Sequence, residues 1–341
     1  MKNIFFKNSS SRNLKNFCDE SSELTKQNLD KFFFNIKIQT NNSDMPSNSI
    51  KNYNKLYKHT FKISLMHKYV YNFKEGKKEM KELLGGKGAN LAEMTTLGLP
   101  VPPGFVVTAK TYRQFVNNEL PVDVIEEILQ AFNGLETERV AVRSSAIAED
   151  SKTASWAGQL ESYLNVTRAD LIENIRKCWN SIRSERVLSY TAGQNLSEDQ
   201  LVVAVVVQKM VESEVSGVMF TQNPVTKNDG EIMIEAGFGL GEYLVQGMIT
   251  PDNFVADKNT LKIKSIDIQT QERMLIFKDG ENKEVQLSNE NGSKQALTYQ
   301  QVQKLADLGK VIESHYGYPQ DIEWALEKGN FYILQARPIT A

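Results

Sequence analysis

Residues 201–210, Leu-Val-Val-Ala-Val-Val-Val-Gln-Lys-Met, constrain the fold more than any other stretch of the chain. β-branched side chains favour an extended backbone, and an unbroken apolar run leaves neither face of a strand suited to water. The segment therefore predicts a central strand buried on both faces. Around it the pattern alternates between strands and helices. Residues 68–73 alternate as a strand, and Gly85-Gly86-Lys87-Gly88 opens a helix that stops near Gly98. Residues 104–108 are extended, and 121–135 form an amphipathic helix with Val122, Ile125, Ile128, Leu129 and Phe132 on one stripe. A longer helix covers 169–190, strands at 215–221 and 232–235 flank the turn-rich 222–230, a helix covers 298–316, and strands at 321–326 and 331–335 close the chain. The expectation is an α+β, enzyme-like domain without internal repeats.

Composition divides the chain sharply. Residues 1–65 contain no Gly, Ala or Val, hold 11 Asn, and carry +6 (11 basic, 5 acidic), whereas the remainder carries −8 (29 basic, 37 acidic). The first region, 1–65, reads as a low-complexity, disordered extension. Its basic, Ser-rich start suits a targeting peptide, but it has no continuous apolar segment, and Asp19, Glu20 and Glu23 argue against a transit peptide. Met66, where the strand–helix pattern begins, is an alternative start. The region 66–341 has the character of a folded domain. A net charge of −2 over 341 residues gives no reason to propose nucleic acid as a partner. No run approaches the roughly 18 apolar residues of a membrane span, so no membrane partner is expected. Cys18 and Cys178 lie far apart without metal-ligand spacing, which fits a reducing cytoplasm. His59, His67 and His315 form no triad or metal pair.

Five segments could carry chemistry. In Val140–Asp150 a short apolar run delivers Arg143, Ser144 and Ser145; a guanidinium fork with nearby hydroxyls and amides suits a phosphate, although an arginine in a surface ion pair fits the same residues. Gly85–Gly88 lets amides approach an anion at a helix start, with Lys87 adding charge. It is not a P-loop, since no Ser or Thr follows the lysine, and it also fits an ordinary helix entry. Around Gly158, residues 156–162 form either a glycine loop over phosphates or a plain turn. Gln208, Met210 and Val211, ending the apolar strand, offer flat apolar faces and an amide to a heterocycle such as adenine, or simply fill a core. In the closing hairpin, a loop at 328–330 sets Glu323 opposite Gln335 and Asp321 opposite Arg337 on one face, with Ile322, Trp324, Tyr332 and Leu334 on the other as core. A carboxylate, an amide oxygen and an arginine suit Mg²⁺ and a migrating phosphoryl group; a solvated Asp321–Arg337 pair is the plainer alternative.

Gly-Gly-Lys-Gly-Ala-Asn-Leu (85–91), Val-Pro-Pro-Gly-Phe (101–105), Val-Arg-Ser-Ser-Ala (142–146), Gly-Leu-Gly-Glu (239–242) and Gln-Ala-Arg-Pro-Ile-Thr (335–340) occur in this order. Together they resemble the nucleotide-binding domain of the pyruvate phosphate dikinase and phosphoenolpyruvate synthase family, which rifampicin phosphotransferases share. The resemblance covers 66–341. It implies a two-lobed ATP-grasp fold with mixed β-sheets and lobes at about 66–210 and 211–341. It implies that Lys87 and Arg143 bind phosphates and that Gly158 and Ser162 lie in a loop over them, Ser162 standing where relatives usually have threonine. Gln208, Met210 and Val211 would hold adenine, Glu323 and Gln335 would hold Mg²⁺, and Arg337 would contact phosphate. Lys87, Arg143 and Arg337 would be the catalytic groups, with ATP and Mg²⁺ as cofactors.

The implied activity is cleavage of ATP and transfer of a phosphoryl group to a histidine. There are three departures from the pattern. The sequence stops right after the last nucleotide motif, where relatives continue into a swivelling phosphohistidine domain, so a separate protein bearing that histidine is the expected partner. The stretch between Phe115 and Arg139 is shorter than in relatives, with helical material missing. Residues 1–65 have no counterpart. A regulatory ATP-binding module, an idle fragment and the ATP-binding part of an antibiotic phosphotransferase are the alternatives.

Overall fold

The computed structural model describes residues 68–147, 150–151, 154–155, 161–184, 187 and 201–339. Within it, Tyr69–Ala341 is a compact unit. The expectations for 1–65, for Gly158 and for the end of the 169–190 helix lie outside the described residues.

The valine-rich segment becomes strand β7 of the first sheet. That sheet contains β1 (Val70–Asn72), β2 (Gly104–Val107), β3 (Arg139–Ala146), β6 (Ser162–Thr167) and β7 (Val203–Lys209), in the order β1-β2-β7-β3-β6. A short ribbon pairs β4 (Asp150–Ser151) with β5 (Ala154–Ser155). Val203 to Val207 are fully buried at the centre of the sheet, as the composition required. Helix α1 (Lys81–Thr96) covers the face carrying Val106 and Ser145, while α4 (Leu171–Ser181) covers the face carrying Ser144. Helices α2 (Ala109–Phe115) and α3 (Val122–Asn133) complete this layer. In α3 the buried residues are Val124, Ile128 and Phe132, with Ile125 and Leu129 partly covered. Val122 departs from the expected stripe and is 71% exposed; it opens the helix, and Val124, one turn before Ile128, takes the inward position.

The second sheet contains β8 (Val215–Phe220), β9 (Glu231–Phe238), β10 (Asp252–Asp257), β11 (Ile263–Asp267), β14 (Gln320–Glu327) and β15 (Asn330–Pro338), in the order β11-β10-β9-β8-β14-β15. Between β11 and β14 the chain forms a separate ribbon of β12 (Arg273–Lys278) and β13 (Glu281–Gln286). Helix α5 (Tyr299–Tyr316) packs its Val302, Leu305 and Ile312 stripe on the second sheet. A Thr298–Gln301 capping box starts that helix, and left-handed Gly317 ends it. The fold is α+β, built on a five-stranded and a six-stranded sheet. Its sheets are antiparallel in every ladder rather than mixed; the Gly239–Leu275 bridge alone is parallel among the described residues. The cause is connectivity: in the second sheet, β8 through β11 and then β14–β15 each turn back on the strand before. Strands β10 to β13 were not expected from sequence.

The closing hairpin reaches the expected pairing by a different route. Its turn has two residues, Lys328 (φ 49°) and Gly329 (φ 76°), the left-handed pair of a tight hairpin turn. Trp324 therefore faces Ile333, and a bulge then skips Leu334 so that Glu323 pairs with Gln335 and Asp321 with Arg337. The bulge also swaps the core side chains on β15. Phe331 and Ile333 are buried beside Trp324, while Tyr332 and Leu334, expected in the core, are only half-buried.

The glycine segment is fastened to the arginine strand. Gly85 interrupts α1 with φ 71° and ψ 171°, a conformation essentially confined to glycine. A Cβ there would lie 2.2 Å from both the carbonyl oxygen and the hydroxyl of Ser145. Ser145 Oγ accepts from the Gly88 amide and donates to the Leu84 carbonyl, each at 3.0 Å. On the other side of α1, Asn90 donates to the Ala336 carbonyl at 3.2 Å, so one helix braces both sheets. Gly85→Ala should lower stability by about 3 kcal/mol or more, from backbone strain and the clash with β3. Gly98→Ala, also at positive φ but with nothing within 4 Å, should cost about 1 kcal/mol. Urea denaturation of both variants checks the contrast, and equal losses would mean that the loop does not rest on Ser145.

Candidate functional site

Three cations from three elements act on one carboxylate, Glu323, which Arg143 contacts directly. Lys87 lies two residues beyond the Gly85 kink, is 8% exposed, and donates through Nζ to the Ser144 carbonyl at 2.9 Å. Arg143, midway along β3, crosses to the second sheet. Its Nη2 forms an ion pair with Glu323 Oε2, and its Nη1 donates to the Leu334 carbonyl at 3.1 Å. That carbonyl belongs to the residue skipped by the hairpin bulge. Arg337 is held by Asp321, whose Oδ2 accepts from Nε at 2.8 Å and lies 2.8 Å from Nη2. Burial pushes the Glu323 carboxyl upward, but Arg143, Lys87 and Arg337 outweigh it and hold the group below the usual glutamate range. Asp321 moves the other way: burial raises it, Arg337 opposes, and the Glu323 charge adds to the rise.

The oxygen donors beside this cluster are incompletely satisfied. Gln335 is 4% exposed, and its Oε1 has no hydrogen-bond partner; Asp321 Oδ1 is also buried without one. A buried acceptor without a donor costs stability, and hard oxygens of this kind suit Mg²⁺. Glu323 and Gln335, opposite each other across the hairpin, therefore fit that ion as neighbouring ligands. No group of three His, Cys, Asp or Glu residues among those described could hold a metal, so such an ion would need further oxygens from a ligand.

The remaining expected residues fall along the first sheet. Ser162 pairs with Arg143 from the edge strand β6, and Arg143 in turn pairs with Val206. Gln208, two residues beyond Val206, shares that face; it is 2% exposed, and its Nε2 has no partner. Met210 and Val211 form the link to β8, where the Met210 amide donates to the Arg139 carbonyl and Val211 is buried. Gly158 lies outside the described residues.

Two expectations change. The serine hydroxyls beside Arg143 are already engaged: Ser145 clamps the glycine segment, and Ser144 Oγ lies 3.4 Å from the Cys178 carbonyl and 3.5 Å from Ser181 Oγ. The Gly88 amide is likewise taken up by Ser145, so this segment docks a helix as well as presenting Lys87. Burial pushes the Cys178 thiol up to about 12, making it core rather than nucleophile. Three groups hold places at the site that the sequence reading did not assign to them. The Leu334 carbonyl depends on a bulge with no sequence signal. Asp321 was visible only as an arginine pair. Glu235, a carboxylate inside the apolar segment of β9, is raised by burial and by the Asp321 charge; an acid within a strand of that kind was its one visible mark.

Residues 81–120 and 113–341 match the family described as pyruvate phosphate dikinase, AMP/ATP-binding domain. The two matched stretches meet inside the region expected to be short. A probable phosphoenolpyruvate synthase of Archaeoglobus fulgidus is 42% identical over 300 residues, covering 76% of this chain and 40% of that protein. The phosphoenolpyruvate synthase of Pyrococcus furiosus is 38% identical, covering 81% and 44%, and the rifampicin phosphotransferase of Bacillus cereus is 35% identical, covering 81% and 36%. The chain thus spans less than half the length of these relatives. The glycine segment, arginine strand and closing hairpin all fall within the matched residues, and the chain belongs to the pyruvate phosphate dikinase AMP/ATP-binding domain family.

Proposed function

We propose that this chain binds ATP with Mg²⁺ and carries the ATP half of a dikinase-type phosphotransfer, passing a phosphoryl group to a histidine on a separate swivelling domain or partner chain. The observation that carries this reading is Arg143 on Glu323, Lys87 on the carbonyl of Ser144, the residue after Arg143, and Arg337 on Asp321, two residues from Glu323, beside the unpartnered Gln335 oxygen. Three cations fixed around one point suit a triphosphate, whose cleavage needs positioning and charge neutralisation more than a protein nucleophile. Gln208 offers a buried amide donor to the base, with Met210 and Val211 as its apolar walls. Gly158 and Ser162 would contact the phosphates, Ser162 from the first position of β6 beside Arg143 rather than from a loop. Mg²⁺ on Glu323 and Gln335 would supply neutralisation of phosphate charge. A cytoplasmic setting and a reaction of the pyruvate, water dikinase or pyruvate, phosphate dikinase type complete the proposal.

Calorimetric titration should show ATP binding at millimolar affinity or tighter in the presence of Mg²⁺, and Arg143→Ala or Lys87→Ala should weaken it at least tenfold. Unchanged binding in both variants would remove these residues from the site. Labelled ATP should then mark the histidine of a supplied phosphohistidine domain. Binding without label would identify an ATP-holding module instead, and label on an antibiotic would place the chain with that branch.

Gln335→Met offers a separate check. It replaces a buried acceptor that has no partner, so thermal stability should hold or rise. The Mg²⁺ concentration needed for ATP binding should nevertheless increase by about tenfold. A variant with unaltered Mg²⁺ dependence would show that Gln335 is not a ligand.

A further inference from the structure

We infer that the site is latched by its own groups: Glu323 and the Leu334 carbonyl hold Arg143 against the second sheet, and a divalent cation taking Glu323 releases Arg143 to the nucleotide. This rests on the proposed ATP site and adds an order to its filling.

Arg143 stands on β3 of the first sheet, yet both of its acceptors belong to the β14–β15 hairpin of the second. The ion pair is largely out of water, with side chains 12% and 19% exposed, so solvent screens it weakly. The hydrogen bond to Leu334 uses a carbonyl that the bulge has left off the ladder. The arginine therefore has two defined acceptors within the protein itself. Its main partner, Glu323, is also the carboxylate that faces Gln335 and fits a divalent cation. A dication on Glu323 brings two positive groups onto one carboxylate and weakens its hold on Arg143. A phosphate can then take the guanidinium fork. Without the cation, a phosphate must compete with Glu323 for Arg143. The two ligands are thus coupled through one side chain, and each favours the other.

The latch makes an unusual demand on Glu323. A residue acting only as a metal ligand affects nucleotide binding in the absence of metal through its charge alone. A residue that also restrains Arg143 opposes that binding by more than its charge. The test is calorimetric titration of ATP in excess chelator. Glu323→Gln should bind metal-free ATP at least fivefold more tightly than wild type, a typical coupling magnitude, while losing the enhancement by Mg²⁺. Removing any negative charge near the site favours an anion, so Glu235→Gln serves as the control; Glu235 lies across Val218 from Glu323 on the same sheet face. Glu235 has no ion-pair partner among the described residues, and its substitution should give a clearly smaller gain.

Arg143→Met supplies an independent arm, titrated with Mg²⁺ alone. Freed from its competitor, Glu323 should bind the cation at least fivefold more tightly than in wild type. No gain for metal-free ATP in Glu323→Gln, an equal gain in Glu235→Gln, or unchanged Mg²⁺ affinity in Arg143→Met would overturn the latch. If wild type and all variants fail to bind ATP even with Mg²⁺, it is the proposed function that falls.

Discussion

The Ser145 hydroxyl is the fastening on which the site depends. It bonds the chain on both sides of the Gly85 kink, at the Leu84 carbonyl and the Gly88 amide. Those contacts fix where Lys87 starts relative to Arg143, which lies two residues before Ser145 on β3. The approach is so close that residue 85 can carry no side chain. One neutral hydroxyl contributes about 1 kcal/mol per hydrogen bond in isolation. Here it also sets the position of two charges relative to each other, and charge placement governs how a phosphate is held. Helix α1 extends this order across the molecule, because Asn90 on the same helix reaches the Ala336 carbonyl beside Arg337.

The bulge at Leu334 plays the corresponding part in the second sheet. A regular ladder after the two-residue turn would set Leu334 opposite Glu323 and move Gln335 and Arg337 to the core-facing side. Skipping Leu334 keeps Phe331 and Ile333 in the core while setting Gln335 and Arg337 on the face of Glu323 and Asp321. The same irregularity leaves a carbonyl for Arg143. A single inserted residue thus reconciles an apolar requirement on one face with a polar one on the other.

This explains which features were legible in the sequence. Strand β7 could be read because its burial is written in composition alone, and the helix expected over 298–316 is observed at Tyr299–Tyr316. The Glu323–Gln335 and Asp321–Arg337 pairings were also anticipated, but from a three-residue loop. The actual two-residue turn and bulge give the same sum, so the pairings agree while the core positions at Tyr332 and Leu334 do not. Strands β11 and β13 were invisible because they are exposed, as in Glu281–Gln286, where neither face imposes an apolar period. The roles of Ser144 and Ser145 were misread for a related reason. A hydroxyl beside an arginine suits a phosphate or a neighbouring backbone equally well, and only the approach of α1 and α4 decides between them.

Asp321 and Glu323, two residues apart on one strand face, show how neighbouring carboxylates acquire different work. Both suffer desolvation. Glu323 receives three cations and stays ionised below the ordinary range, whereas Asp321 has one arginine and the repulsion of Glu323, and is raised. Acid therefore affects them in opposite senses. The stabilisation tied to ionised Glu323 is complete above the unfolded glutamate value of about 4.3 and disappears as pH falls through its lower folded value. For Asp321, protonation as pH falls through its raised value relieves an unfavourable charge, so that group favours the folded state in mild acid. A cation arriving at Glu323 would change both at once, by displacing Arg143 from the first and easing the repulsion felt by the second. The carboxylate already surrounded by positive charge is thus the one placed to exchange an arginine for a metal, while its neighbour keeps Arg337 in position throughout.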